Sequence, residues 1–170
     1  MRLLAACAAL LLAACQKAPS NAPAGYSSPD GGFHLILPAA WRVDESRGKG
    51  MILLSGPGLG SDAESVFVSF FPSQARWRTP REYAYAQAAT GRAGPVTETA
   101  RGVEVAIERT IADAHLGRLV RDVRLVLVPA AGGFYALEDW TDPSRAAPSP
   151  DFDALAASFR AGAGPPAKKN

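Results

Sequence analysis

The chain has 170 residues, with 18 Lys and Arg against 16 Asp and Glu, two His, two Cys and a formal net charge of +2. So small and unclustered a basic excess excludes a nucleic-acid binder, whose affinity rests on a dense positive face. Both cysteines, Cys7 and Cys15, lie near the start, leaving no thiol further on for a disulfide framework, a zinc site or a nucleophile.

The first element is MRLLAACAALLLAAC, with one cation at Arg2 and an apolar run from Leu3 to Ala14. It reads as a secretion signal, too short for a spanning helix, which needs about 20 apolar residues. Its end, Leu12, Ala13, Ala14 and Cys15, resembles the lipobox of bacterial lipoproteins. The resemblance implies a signal peptide over 1–14, cleavage before Cys15 and a lipid on its sulfur. The same letters at Leu4, Ala5, Ala6 and Cys7 would leave almost no apolar core for a signal. Gln16, rather than Asp, follows the cysteine, which by the same resemblance implies the outer membrane, facing the periplasm, if the host has two membranes. Without Arg2 the mature chain carries 17 basic and 16 acidic residues.

Residues 15–26 are rich in Pro, Ala, Ser and Asn and read as a flexible tether; 163–170 read as a disordered tail. A single domain without repeats is expected over 27–162. It opens with a turn at Pro29 to Gly32 and a strand, FHLIL, in which Phe33, Leu35 and Leu37 share one face and His34 and Ile36 the other. Short strands follow at WRVDE and GMILLSG, then a glycine-rich loop, PGLGSD. In ESVFVSFFP, Val66, Val68 and Phe70 fill one face and Phe67 and Phe71 the other, so both faces require cover.

Thr79, Pro80 and Glu82 predict a capped helix start, and the helix should stop near Gly91. VEVAIERTI alternates, with Val103, Val105, Ile107 and Ile111 inward. HLGRLVRDVRLVLVP also fits a helical period, but its β-branched content and Pro129 favour a strand. AAGG turns the chain into the strand FYALEDW, and SPDFDALAASFRAG predicts a closing helix that ends near Gly162. Short connections pair such strands antiparallel, so the expected class is α+β, one antiparallel sheet flanked by helices.

The opening GGFHLILPAAW, the helix with Arg81, Glu82 and Tyr83, then GGFYAL and PDFDALAASFR together resemble the PsbP-like, or Mog-type, fold over about Ser27 to Arg160. The resemblance implies an α/β/α sandwich with Phe33, Leu35, Leu37 and Trp41 as buried anchors. It also implies Gly133 and Phe134 at a hairpin re-entry, and Phe152, Leu155, Ala156 and Phe159 as the packed stripe of the last helix. For function it implies a non-catalytic module that binds or helps assemble a protein.

No pattern of chemistry competes with that reading. His34 lacks a second ligand at metal spacing, since His115 sits in a predicted turn, so it reads as completing the strand's second face. Glu138, Asp139, Asp142, Asp151 and Asp153 lack the alternation that wraps a loop around calcium. GPGLGS has no following lysine for a phosphate loop, and no G-x-S-x-G supplies a nucleophile. The chain is therefore read as no enzyme and as needing no cofactor or metal. The stretch QARWRTPREY sets Arg76, Trp77, Arg78 and Arg81 just ahead of a helix, a combination suited to an anionic partner or headgroups. Alternatively, Trp77 folds back onto the helix start and the arginines are solvated. The expected function is a lipid-anchored, non-catalytic envelope protein that binds a protein partner. The alternative is a periplasmic sensor or small-ligand-binding lipoprotein with a pocket between sheet and helix.

Overall fold

Three long alternating runs form the spine: β8 (Gly102–Asp113), β9 (Gly117–Ala130) and β10 (Gly133–Thr141), each antiparallel to the next. The β9 to β10 turn is tight because Gly132 adopts φ +75°, a left-handed conformation that side-chain-bearing residues rarely take. In this computed structural model, residues 22–48, 50–57, 64–113, 117–144 and 150–162 are described. Cys15, His115, the loop at 58–63 and residues 163–170 lie outside them.

Beside β10 lies β5 (Ser65–Pro72), then β4 (Met51–Ser55) and β3 (Arg42–Asp44). On the other side, β8 is edged by β6 (Arg92–Ala93) and β7 (Thr97–Thr99), which complete an eight-stranded sheet. The first face of this sheet carries Val103, Val105, Ile107, Leu125, Leu127, Phe134 and Ala136. They are buried with Tyr83 and Ala84 of α1 (Pro80–Ala88), which packs on β8 and β9. The second face carries Val66, Val68, Val126, Tyr135 and Leu137. As the twofold apolar pattern of β5 requires, both faces are covered.

Cover on the second face differs from expectation. β2 (Phe33–Leu37) pairs with β1 (Ala24–Ser27) and β11 (Arg160–Ala161) to make a separate three-stranded sheet. That sheet and α2 (Pro150–Ser158) jointly bury Phe33, Leu35, Leu37, Trp41, Phe152, Leu155, Ala156 and Phe159. Each such large side chain contributes about 1.5–3 kcal/mol on burial.

The expected α/β/α sandwich, with one antiparallel sheet between helix layers, is therefore wrong. The protein is mostly β, built from two antiparallel sheets. Its two helices among the described residues are nine residues each and too short to form layers. Four strands escape the sequence reading: β6 and β7 because they are two and three exposed residues with no alternation, β1 and β11 for other physical reasons. In β1, Ala24, Gly25 and Tyr26 fall within the stretch read as tether because the strand is short and half exposed, yet Tyr26 packs against the core and pairs opposite Leu35. Arg160 and Ala161 continue the helical stripe in sequence, but α2 stops at Ser158, whose hydroxyl accepts the Ile36 amide at 2.9 Å. The chain then runs along β2, where Gly162 N donates to Gly32 O at 2.7 Å.

The register defines two ends of the large sheet. At one, Gly133 stands beside Pro72 and Ala130; at the other, Trp140 stands beside Ser65 and Val123, with Arg42 and Ser55 in the same row. Beyond this second end β8 and β9 continue alone to the Asp113 and Gly117 pair as a two-stranded arm.

Candidate functional site

The α1 side of the large sheet holds the most elaborate arrangement of polar and aromatic groups. Thr79 caps the helix in extended conformation, φ −130°, its hydroxyl accepting the Glu82 amide at 3.2 Å. The Glu82 carboxylate turns back and accepts the Arg78 amide at 2.9 Å. With Pro80 in the first turn, where its missing N–H costs nothing, the cap fixes where the helix begins.

This start aims Tyr83 into the sheet. Its hydroxyl donates to Glu138 Oε1 at 2.9 Å, and Trp140 Nε1 donates to Glu138 Oε2 at 3.3 Å. Arg109 donates to the Gln87 side chain and lies 5.4 Å from the Trp140 ring centre. Burial first, then the charge and hydrogen bond of Glu138, push the Tyr83 pKa well up, with Arg109 opposing weakly. At neutral pH the phenol is therefore a fixed donor, a latch between helix and sheet, not a proton-transfer group.

Trp77 sits on the outer side of Tyr83, edge to face at 4.9 Å, and touches Phe71 at 6.1 Å. It is half-buried, and the Arg76 guanidinium lies 5.3 Å from its ring centre. Arg81 reaches Glu98 at 3.2 Å and lies 5.8 Å from the ring centre of Tyr85, which is 52% exposed. Arg76 and Arg78 are exposed and have no carboxylate partner among the described residues. The four residues Arg76, Trp77, Arg78 and Arg81 thus surround one helix start. Trp77 folds back onto the helix while the arginines stay in solvent. Tyr85 completes the surface and was missed, although its spacing of four from Arg81 already placed both on one helical side.

Other candidates are dispersed. His34 is exposed on the outer face of the small sheet, across from Ser27 and Arg160, and Ile36 beside it is 54% exposed, so that face faces solvent. Of the acidic residues, Asp142 pairs with Arg121 at 2.9 Å, Asp153 with Arg124, and Asp151 accepts Trp41 Nε1 at 3.2 Å. Asp139 is buried on the second face, opposite Arg124 in register, and Glu138 belongs to the Tyr83 latch. Among the described residues no group of three His, Cys, Asp or Glu side chains could hold a metal ion, and no helix is long and apolar enough to cross a membrane. A cleft of about 230 Å³ opens between Gly94, Pro95 and Thr97 and the β8–β9 floor at Glu104, Ala106 and Arg124. It is smaller than the roughly 300–1,000 Å³ of typical ligand pockets and does not lie between sheet and helix.

No family model matches this sequence, and no curated protein does. Solved structures do match in shape. The solution structure of cyanobacterial PsbP (CyanoP) from Synechocystis sp. PCC 6803 aligns with a TM-score of 0.51 and 17% identity, over 89% of this chain and 99% of that one. The fold is PsbP-like. A crystal structure from Bacteroides thetaiotaomicron VPI-5482 aligns with a TM-score of 0.53 and 12% identity, over 84% of this chain and 49% of the other. This chain thus spans about half the length of the Bacteroides protein.

Proposed function

We propose that this protein is a non-catalytic accessory module that holds a protein partner at a membrane surface, anchored in the cell envelope by lipid on Cys15. The observation that carries the binding half is the surface around the α1 start. There Arg76 and Arg78, without carboxylate partners among the described residues, the Trp77 indole beneath the Arg76 guanidinium and the exposed Tyr85 lie together around the capped helix start. Arg and aromatic side chains are the types that most often dominate protein interfaces. Because Trp77 also supports Tyr83, the informative variant spares it. The partner chemistry is a carboxylate-bearing protein surface, matched to Arg76 and Arg78. The CyanoP-like shape supports an accessory role, and the lipobox letters support the anchor.

The test is co-purification from native membranes of the intact chain and of an Arg76→Glu, Arg78→Glu double variant. One stoichiometric partner held by the former and released by the latter, at unchanged circular dichroism, supports the reading. Equal recovery with both contradicts it.

A further inference from the structure

The anchoring end of the chain and the Trp77 surface occupy opposite corners of the molecule. β1 begins at Ala24, opposite Leu37. Leu37 leads through one turn, closed by Trp41 N donating to Pro38 O at 3.3 Å, into Arg42 at the Trp140 end of the large sheet. Trp77, by contrast, packs on Phe71, which pairs with Phe134 one step from the Gly133 end. Six strand steps separate the two rows, about 20 Å at roughly 3.3 Å each. The two sites also lie on different sides of the large sheet, since β1 belongs to the small sheet on the second face and Trp77 to the α1 layer on the first. Two layer spacings of roughly 10 Å add to the distance, giving about 28 Å corner to corner.

We infer that the Trp77 surface is presented away from the bilayer that holds Cys15, so that its partner docks from the solvent side and is not the anchoring leaflet. The inference rests on the proposed anchor. Eight residues lie between Cys15 and Ala24, nine Cα-to-Cα steps that span at most about 30 Å. Laying Arg76 and Arg78 on the same membrane lifts Ala24 by about 20–28 Å, so that most of that length is drawn out around the domain, a state disfavoured by chain entropy. The arm formed by β8 and β9 extends beyond the anchoring end instead. Thr110, exposed on that arm, is therefore nearer the membrane than Arg78.

The experiment uses the full chain, which has no thiol beyond Cys15. Single Arg78→Cys and Thr110→Cys variants carry a fluorescent donor and are reconstituted in phosphatidylcholine vesicles with a headgroup-labelled acceptor, with and without phosphatidylglycerol. The mass of the N-terminal peptide reports the lipid on Cys15. Energy transfer several-fold stronger from position 110 than from position 78, in both vesicles, is the expected result. Equal transfer with lipid present on Cys15 overturns the orientation alone. Transfer from position 78 that appears only with phosphatidylglycerol also overturns it, assigning the arginines to headgroups. A peptide without lipid overturns the anchor, and the inference with it.

Discussion

Replacing Tyr83 by Phe tests the latch that places the candidate surface. The substitution keeps the ring against Trp77, Phe71 and Phe134 and deletes only the oxygen that donates to Glu138 at 2.9 Å. A hydrogen bond to a charged group contributes about 1.5–3 kcal/mol net, and Tyr83 is buried, so solvent does not replace the donor freely. Glu138 keeps the longer Trp140 bond of 3.3 Å, which softens the loss. A destabilisation of about 2 kcal/mol is expected, or a fall in Tm of roughly 5–8 °C for a domain of this size. Urea unfolding followed by far-ultraviolet circular dichroism measures the first, and calorimetry the second. Hydrogen exchange should quicken in α1 before it does in β9 or β10. A loss under about 0.5 kcal/mol, or exchange that quickens uniformly, would refute the latch.

Other consequences are as specific. Gly102 has φ +143°, and a Cβ there would stand 2.0 Å from Leu127 O, so Gly102→Ala should cost more than Gly94→Ala, where the nearest atom is 3.8 Å away; paired urea melts check this. Phe134→Ala removes a ring that is fully buried between β5 and α1 and should cost about 3–5 kcal/mol, read from the same melts. Burial pushes the Tyr135 hydroxyl up to about 12, so the folded state keeps a proton that the unfolded chain releases near its ordinary value of about 10. Stability should accordingly be full below that ordinary value and decline as pH rises towards 12, with Tyr135→Phe flattening part of the decline in a pH series of melts. Binding of the partner should weaken between low and high salt, because the exposed arginines are screened once the Debye length shrinks from about 8 to about 3 Å; a salt-independent Kd would contradict the charge match.

What the sequence made legible follows from strength of pattern. Phe33, Leu35 and Leu37 alternate without exception, and Phe152, Leu155, Ala156 and Phe159 repeat at three and four, and all are buried. The Thr79, Pro80 and Glu82 start is where the cap lies, because its bonds are local. The α/β/α sandwich implied by the resemblance fails on the second sheet and the short helices, neither of which periodicity could correct, because it tells which face of a strand is apolar and not which sheet the strand joins. β1 is next to β2 in the chain but too short to show an alternation of its own, and β11 is a backbone partner from the far end of the domain, pairing Arg160 with His34. The Tyr83, Glu138 and Trp140 latch was equally invisible. Its acceptor lies 55 residues from its tyrosine donor, and Glu138 was grouped instead with acids that prove to have separate partners.

On the proposed function, this PsbP-like domain holds a protein on the surface around the α1 start. Photo-crosslinking from single benzoylphenylalanine substitutions at Arg78 and Tyr85, with Ile36 and Val120 as exposed controls elsewhere on the domain, tests it in the native membrane. One adduct of constant mass from positions 78 and 85, and none from 36 or 120, is expected. An adduct only from the controls, or none from any position, would contradict it.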